Sequence, residues 1–279
     1  MIVFSLIALF IFVLFVASFV YMISHISKNV PRQSTEDFNS SVLAISYDNQ
    51  PTGKTYTKNL VHLLRKNKYD YIILGENDNY KGWYTRFLAY RNEIVKHDDE
   101  KLLFICDGRD VLINNQSPET MINIAKSMVD LDKKIIFGAE TGCCTPVKDK
   151  ENIVSFMKNI ASKRRPNYKH SYYYLNFGTM LGKAKNIKFL FQNLGMEKGA
   201  DDQSLTYLFF QKYPNKIFLD YQQILFSTTH GTSPSPFEYN KEKKKIFQKI
   251  TKTVPVVLHF QGRGYENKYN ECSKKLMEG

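Results

Sequence analysis

Two kinds of block alternate along the chain: short runs that are apolar on both faces, and longer segments whose apolar residues recur at helical spacing. Ser41-Val-Leu-Ala-Ile-Ser46 is a short run followed by the turn residues YDNQPTG, which predicts a buried first strand. Tyr56 to Lys66 carries Leu60, Val61, Leu63 and Leu64 on one helical face, and Tyr69 to Leu74 reads as a second strand stopped by Gly75-Glu-Asn-Asp78. A helix follows from Trp83 to Val95, with Phe87, Leu88, Arg91 and Ile94 stacked along it. Lys101-Leu-Leu-Phe-Ile-Cys106 is then apolar on both faces, as a central parallel strand is. A Pro118–Val129 helix and an Ile135–Ala139 strand continue the alternation. The pattern predicts an α/β domain with a mainly parallel central sheet flanked by helices.

The first residues are of another kind. Ile2 to Ile23 contains no charged residue, and as a helix it would span about 33 Å against a hydrocarbon core of about 30 Å. A cleavable signal peptide has a shorter apolar stretch, a basic start and a small-x-small site, none of which is present. The expected organisation is a transmembrane anchor over residues 1–24, a polar stem over 25–40 and one domain over 41–279. Lys28 and Arg32 after the helix favour a cytosolic domain. The triplets Asn39-Ser-Ser41 and Asn115-Gln-Ser117 are glycosylation sequons and argue for the opposite side.

Composition narrows the function classes. With 43% apolar, 14% aromatic and 24% charged residues the chain is not a disordered one. Its 4 cysteines include no C-x-x-C pair, which excludes a disulfide scaffold and a cysteine-rich zinc module. The net charge of +12 is concentrated in runs such as Lys241–Lys245 and Lys163–Arg165. Such runs read as solvated faces, so nucleic acid is not the expected partner.

In an α/β sheet, ligands sit at the carboxyl ends of the strands. The exits here are Tyr47-Asp48, Gly75-Glu76, Asp107-Gly-Arg-Asp110 and Glu140, each with a carboxylate. Asp107 and Asp110 lie between a buried strand and a second apolar run, Val111–Ile113, so a tight turn can aim both at one point. Two close carboxylates repel unless a cation lies between them, which points to a hard divalent ion; a solvated turn is the plain alternative. His259 ends the run Val254–Leu258, and with two carboxylates it completes an oxygen, oxygen, nitrogen set that suits Mn²⁺. Taken singly, such a histidine is more often structural. Asp201 and Asp202 precede the amphipathic stretch SLTYLFFQKY, where helix capping competes with a catalytic role. The glycines of Tyr174–Gly182 mark a strand to which something comes close.

The ordered motifs LLFICDGRDVLI, IIFGAETGCC-TP, YYLNFGTMLGKAKNI, GADDQSLTYLFF, IFLDYQQILF and VPVVLHFQGRG resemble the N-terminal glycosyltransferase domain of procollagen lysyl hydroxylases and related collagen-type enzymes of GT-A (Rossmann-like) fold. The resemblance runs from about Val42 to Gly264. It implies a Mn²⁺-dependent transferase that passes glucose or galactose from UDP-glucose or UDP-galactose to a hydroxyl acceptor, such as hydroxylysine or galactosyl-hydroxylysine of a collagen-like protein. By position, Asp107, Asp110 and His259 match the metal ligands, while Asp201, Asp202 and Asn176 match residues beside the sugar. Ser46 and Tyr47 match the uracil border, and Asp107, Arg109 and Gly262 lie in nucleotide-binding motifs. A basic residue beside the diphosphate is expected between Lys81 and Arg86, with Lys81 taken for it.

The chain also departs from the family. Arg109 replaces an aromatic residue between the aspartates, Cys144-Thr145-Pro146 lacks the family's Trp, and Phe260-Gln261 replaces Gly and Asn. No iron-binding H-x-D follows for a hydroxylase domain. The resemblance implies a membrane-anchored enzyme of the secretory lumen. A sugar-nucleotide-binding pseudoenzyme serving as a tethered recognition module is the alternative, made plausible by the missing Trp; a metal-dependent phosphohydrolase on the same aspartates is another.

Overall fold

The computed structural model describes residues 32–33, 40–49, 55–76, 78–143, 149–165, 169–229, 236–262 and 265–279. The expected anchor lies outside the described residues, as do Cys144-Thr145-Pro146 and most of the stem. Among the described residues no helix is long and apolar enough to cross a membrane.

The described residues begin with β1 (Arg32–Gln33), β2 (Val42–Tyr47), α1 (Thr55–Lys66), β3 (Asp70–Leu74) and α2 (Trp83–Ile94). It continues through β4 (Leu102–Asp107), β5 (Val111–Ile113), α3 (Pro118–Met128), β6 (Ile135–Glu140) and α4 (Lys150–Arg164). Then come β7 (Tyr174–Lys183), α5 (Ala184–Asn193), α6 (Asp202–Lys212), β8 (Ile217–Asp220) and β9 (Phe226–Thr228). A β10–β11 hairpin (Phe237–Asn240, Lys245–Gln248), β12 (Val257–His259) and α7 (Glu266–Glu278) complete it. The elements predicted from apolar runs lie within a residue or two of these limits, because those runs supply the buried faces. The Val254–Leu258 run is the exception, with a strand only from Val257.

Seven strands form the main sheet in the order β1-β3-β2-β4-β7-β6-β8. Pairing is parallel for β3–β2, β2–β4 and β6–β8, but antiparallel for β1–β3, β4–β7 and β7–β6. The expected mainly parallel sheet is therefore mixed. The long strand β7 inserts between β4 and β6 against the direction of both. Nine of its ten residues are buried, and a run apolar on both faces belongs to a sheet centre whichever way it points. Two residues of the stem form β1, an edge strand on Ile72 and Ile73.

The small sheet β5-β12-β9 decides where the chemistry can be. His259 on β12 is paired with Val111 on antiparallel β5, immediately after Asp110. Phe104 of β4 stacks on Phe226 of β9, centroids 5.9 Å apart, joining the two sheets. Helix ends are set by local chemistry: Ser117 accepts from the Thr120 amide with Pro118 in the first turn of α3, and Asp201 accepts from the Ser204 amide at 2.7 Å to start α6.

Candidate metal and nucleotide site

Strand β4 ends in Asp107, and the turn Gly108-Arg109 returns the chain to Asp110 and β5. The turn is tight: a Cβ on Gly108 would meet the Tyr47 carbonyl oxygen at 2.7 Å. His259 Nε2 lies 3.6 Å from Asp107 Oδ2 and 3.4 Å from Asp110 Oδ2. One ligand atom from each of the three residues falls within 4.8 Å of the others. Two cis ligands on an ion with ~2.1 Å bonds are about 3 Å apart, so this spacing needs little adjustment to close on a cation.

His259 is almost fully buried, and its ring is oriented from behind. Nδ1 is 3.0 Å from Asn176 Oδ1. That oxygen can only accept, so Nδ1 carries a proton and Nε2 is the nitrogen directed at the aspartates. Nε2 is buried and makes no hydrogen bond, so it is open to coordinate a metal between the aspartates. Asn176 donates in turn to Glu140 Oε2 at 3.1 Å, and Glu140 also accepts from Gln203 and Gln261. These partners fix the imidazole as outer-shell groups fix metal-bound histidines. The residues fit a divalent ion.

Electrostatics agree with that fit. Burial pushes the Asp107 carboxyl above its ordinary range, Arg86 pulls against it and Asp110 adds to it. Burial acts to lower the His259 pKa, but Asp110 and then Asp107 outweigh it and the net direction is up. The cluster favours a positive charge among its members.

Gly178 of β7 is the floor of this cluster. A Cβ there would lie 2.3 Å from His259 Cε1 and 2.6 Å from Asp107 Oδ2. This is the close approach the glycine-marked strand predicted.

A cavity of about 340 Å³ opens beside the aspartates, lined by Tyr47, Tyr80, Trp83, Arg86, Arg109 and the Asp107–Asp110 turn, with Asp48 and Asn49. That volume suits a small-molecule ligand. The Tyr47 ring lies on Gly75, whose φ of +85° and absent Cβ are both required: an added Cβ would sit 2.4 Å from the ring. Arg109, which stands where the family has an aromatic residue, donates from Nε and Nη2 to Asp48 Oδ1 at 3.1 and 2.8 Å, while Asp48 also accepts from Thr57.

The structure thus brings Asp107, Asp110 and His259 together, with Tyr47 and Arg109 on the adjoining cavity. Asn176 lies behind the histidine. Ser46 is buried under the Gly108 turn and does not line the cavity. Gly262 is an exposed residue of positive φ after β12, outside the lining. Lys81 is exposed ahead of α2, its amide donating to Thr85 Oγ1, and is not in the lining either. The cation that this segment brings to the cavity is Arg86, in the first turn of α2. It donates to Asp107 Oδ1 at 2.6 Å and to Asp202 Oδ2 at 2.5 Å. Both residues belong to the segment that had to contain a basic group, but Lys81 precedes the helix, whereas Arg86 in the first turn of α2 faces the aspartates. Asp201 serves as the cap of α6, while Asp202 faces the site through Arg86. In the sequon at Asn115, the amide nitrogen a glycan would need donates to the Lys244 and Leu276 carbonyls.

The sequence profile of the PLOD GT domain matches residues 52–273. Among solved structures, a glycosyltransferase involved in glycosylation of the major capsid of PBCV-1 is similar at 11% identity and a TM-score of 0.48, over 85% of this chain and 99% of that one. The galactosyltransferase LgtC, in complex with donor and acceptor sugar analogues, is similar at 14% identity and a TM-score of 0.40, over 84% of this chain and 95% of that one. A search of curated proteins finds no match.

Proposed function

The chain belongs to the PLOD GT domain family, the glycosyltransferase domains of procollagen lysyl hydroxylases, and on that premise we propose that it is a Mn²⁺-dependent GT-A enzyme. It transfers glucose or galactose from a UDP-sugar to a hydroxyl acceptor, with hydroxylysine or galactosyl-hydroxylysine of a collagen-like protein as the acceptor class. The observation that carries the reading is the convergence of Asp107, Asp110 and the buried Nε2 of His259, which makes no hydrogen bond, on one locus beside a cavity of about 340 Å³.

Those three residues would hold the ion, whose charge stabilises the diphosphate as the sugar–phosphate bond breaks. Tyr47 offers an aromatic face to the base, and Asp48, anchored by Arg109 and Thr57, offers an acceptor beside it. Arg86 places a fixed positive charge at the phosphate side. Burial raises the Asp202 pKa against the pull of Arg86, and a carboxylate so raised is the better proton acceptor for an incoming hydroxyl. The same reading keeps Ile2–Ile23 as a single-pass anchor with the domain in the secretory lumen, which protease protection of the domain in intact microsomes tests.

UDP release measured over UDP-glucose and UDP-galactose, with and without Mn²⁺ and acceptor, tests the activity. Transfer that needs Mn²⁺ and is lost in Asp110→Ala is expected. Metal-independent transfer, or wild-type turnover in Asp110→Ala, would overturn the reading.

A further inference from the structure

Arg86 has a geometry that a phosphate-binding cation alone does not require. One guanidinium spans two carboxylates from different elements: Asp107 at the end of β4 and Asp202 in the first turn of α6. Its side chain is 12% exposed. The guanidinium carbon lies 4.9 Å from the centre of the Trp83 ring and 5.9 Å from that of Phe177. Its Nε is buried and has no hydrogen-bond partner, leaving a donor over. Asp107 gives Oδ1 to Arg86, while Oδ2 is the oxygen turned to His259.

Resting on the metal and UDP-sugar reading above, we propose that Arg86 is a positioning residue that couples the donor and acceptor halves of the site. It holds Asp107 with Oδ2 toward the metal position, holds Asp202 at the acceptor side, and keeps the distance between them fixed. Only a planar fork does this. A lysine ammonium in the same place supplies the charge as a point, without the geometry that grips two carboxylates at once.

The arrangement has opposite consequences for two ligands. A cation touching the Asp107 carboxylate repels a second cation bound to it, so Arg86 weakens the binding of Mn²⁺ alone. Once diphosphate oxygens arrive, the same charge attracts them. A merely structural arginine would not separate these effects, because loss of packing would weaken both.

The experiment uses the full chain and its Arg86→Gln and Arg86→Lys variants, with Mn²⁺ titrated alone and UDP titrated at saturating Mn²⁺ by calorimetry. Thermal melting of each variant accompanies the titrations. Arg86→Gln is expected to bind Mn²⁺ about threefold or more tighter and UDP about ten- to a hundredfold more weakly, the loss of a charge-assisted contact. Arg86→Lys is expected to restore UDP affinity to within about threefold while kcat stays about tenfold or more below wild type, since the charge returns without the fork. Wild-type UDP affinity in Arg86→Gln, loss of its Mn²⁺ binding, or full kcat in Arg86→Lys each overturns the proposal. If Arg86→Gln does not fold, the kcat of Arg86→Lys decides it. A wild-type chain that binds neither Mn²⁺ nor UDP overturns the functional reading itself, whereas variants that behave as wild type overturn only the coupling.

Discussion

Gly178→Ala separates the metal locus from every ligand that forms it. The substitution removes no donor and adds one methyl group. That methyl would stand 2.3 Å from His259 Cε1, 2.6 Å from Asp107 Oδ2 and 3.0 Å from His259 Nε2. To reach ordinary contact the imidazole must retreat by about 1.1 Å and the carboxylate by about 0.8 Å. Neither yields easily, because His259 is held by Asn176 and by its pairing with Val111, and Asp107 by Arg86. Metal–ligand bonds tolerate only about ±0.2 Å, so the set cannot close on the ion. We expect Mn²⁺ affinity to fall by about a hundredfold or more, the cost of losing the equivalent of two charged ligand contacts. Overpacking should lower folding stability by about 1–3 kcal/mol. Gly182→Ala on the same strand is the control: its nearest neighbour is Ile135 at 3.3 Å, away from the site, and Mn²⁺ affinity should be unchanged. Calorimetric titration with Mn²⁺ and urea denaturation read the two effects. Wild-type Mn²⁺ affinity in Gly178→Ala would refute the placement of the ion among these side chains.

Three further expectations follow the same logic. Asn176→Ala removes the acceptor that fixes the His259 tautomer and should cost about ten- to a hundredfold in Mn²⁺ affinity; an unchanged titration would show that the ring needs no such support. Gly75→Ala forces a residue at φ +85° to carry a methyl against the Tyr47 ring, so UDP should bind more weakly while Mn²⁺ alone binds normally. Loss of both together would mean the damage is to the fold. Asp220, fully buried on β8, has its pKa raised by burial from 3.8 to about 6, with backbone amides including those of Leu225 and Phe226 pulling the other way. Its folded form holds the proton more tightly, so the stability it contributes is present below pH 3.8 and is lost as pH rises through about 6. The loss is of order 3 kcal/mol; urea unfolding of wild type against Asp220→Asn between pH 4 and 7 should show the variant without that component, and parallel pH profiles would contradict it.

Much of this fold could be read from the order of apolar runs, because a strand covered on both faces must be apolar on both. Leu102–Cys106 and Ile135–Ala139 show this directly, and the aspartates after the first of them end where strand exits place ligands. The direction of β7 was not legible: Tyr174–Lys183 is buried almost throughout, and burial carries no arrow. The junction of His259 with Asp110 depends on a three-residue strand pairing, β5 with β12, which is too short for periodicity to reveal. The family resemblance drew attention to Asn176 as a residue beside the sugar, but its work is to orient a ring, and only the distance to Nδ1 shows that. Lys81 and Arg86 are equally basic; Lys81 lies in solvent ahead of α2, whereas the first turn of the helix sets Arg86 between two carboxylates. Ser46 carries the polarity of a ligand-binding residue, yet the Gly108 turn covers it.

The central claim is that two carboxylates and one imidazole nitrogen share a divalent ion beside the nucleotide cavity. Pulsed electron paramagnetic resonance of the Mn²⁺-loaded chain, compared with His259→Gln, tests it most directly. A nitrogen coupling from one directly bound imidazole, absent in the variant, and a phosphorus coupling on addition of UDP are the predicted result. A Mn²⁺ spectrum with no nitrogen coupling, or one that His259→Gln leaves unchanged, would contradict the account.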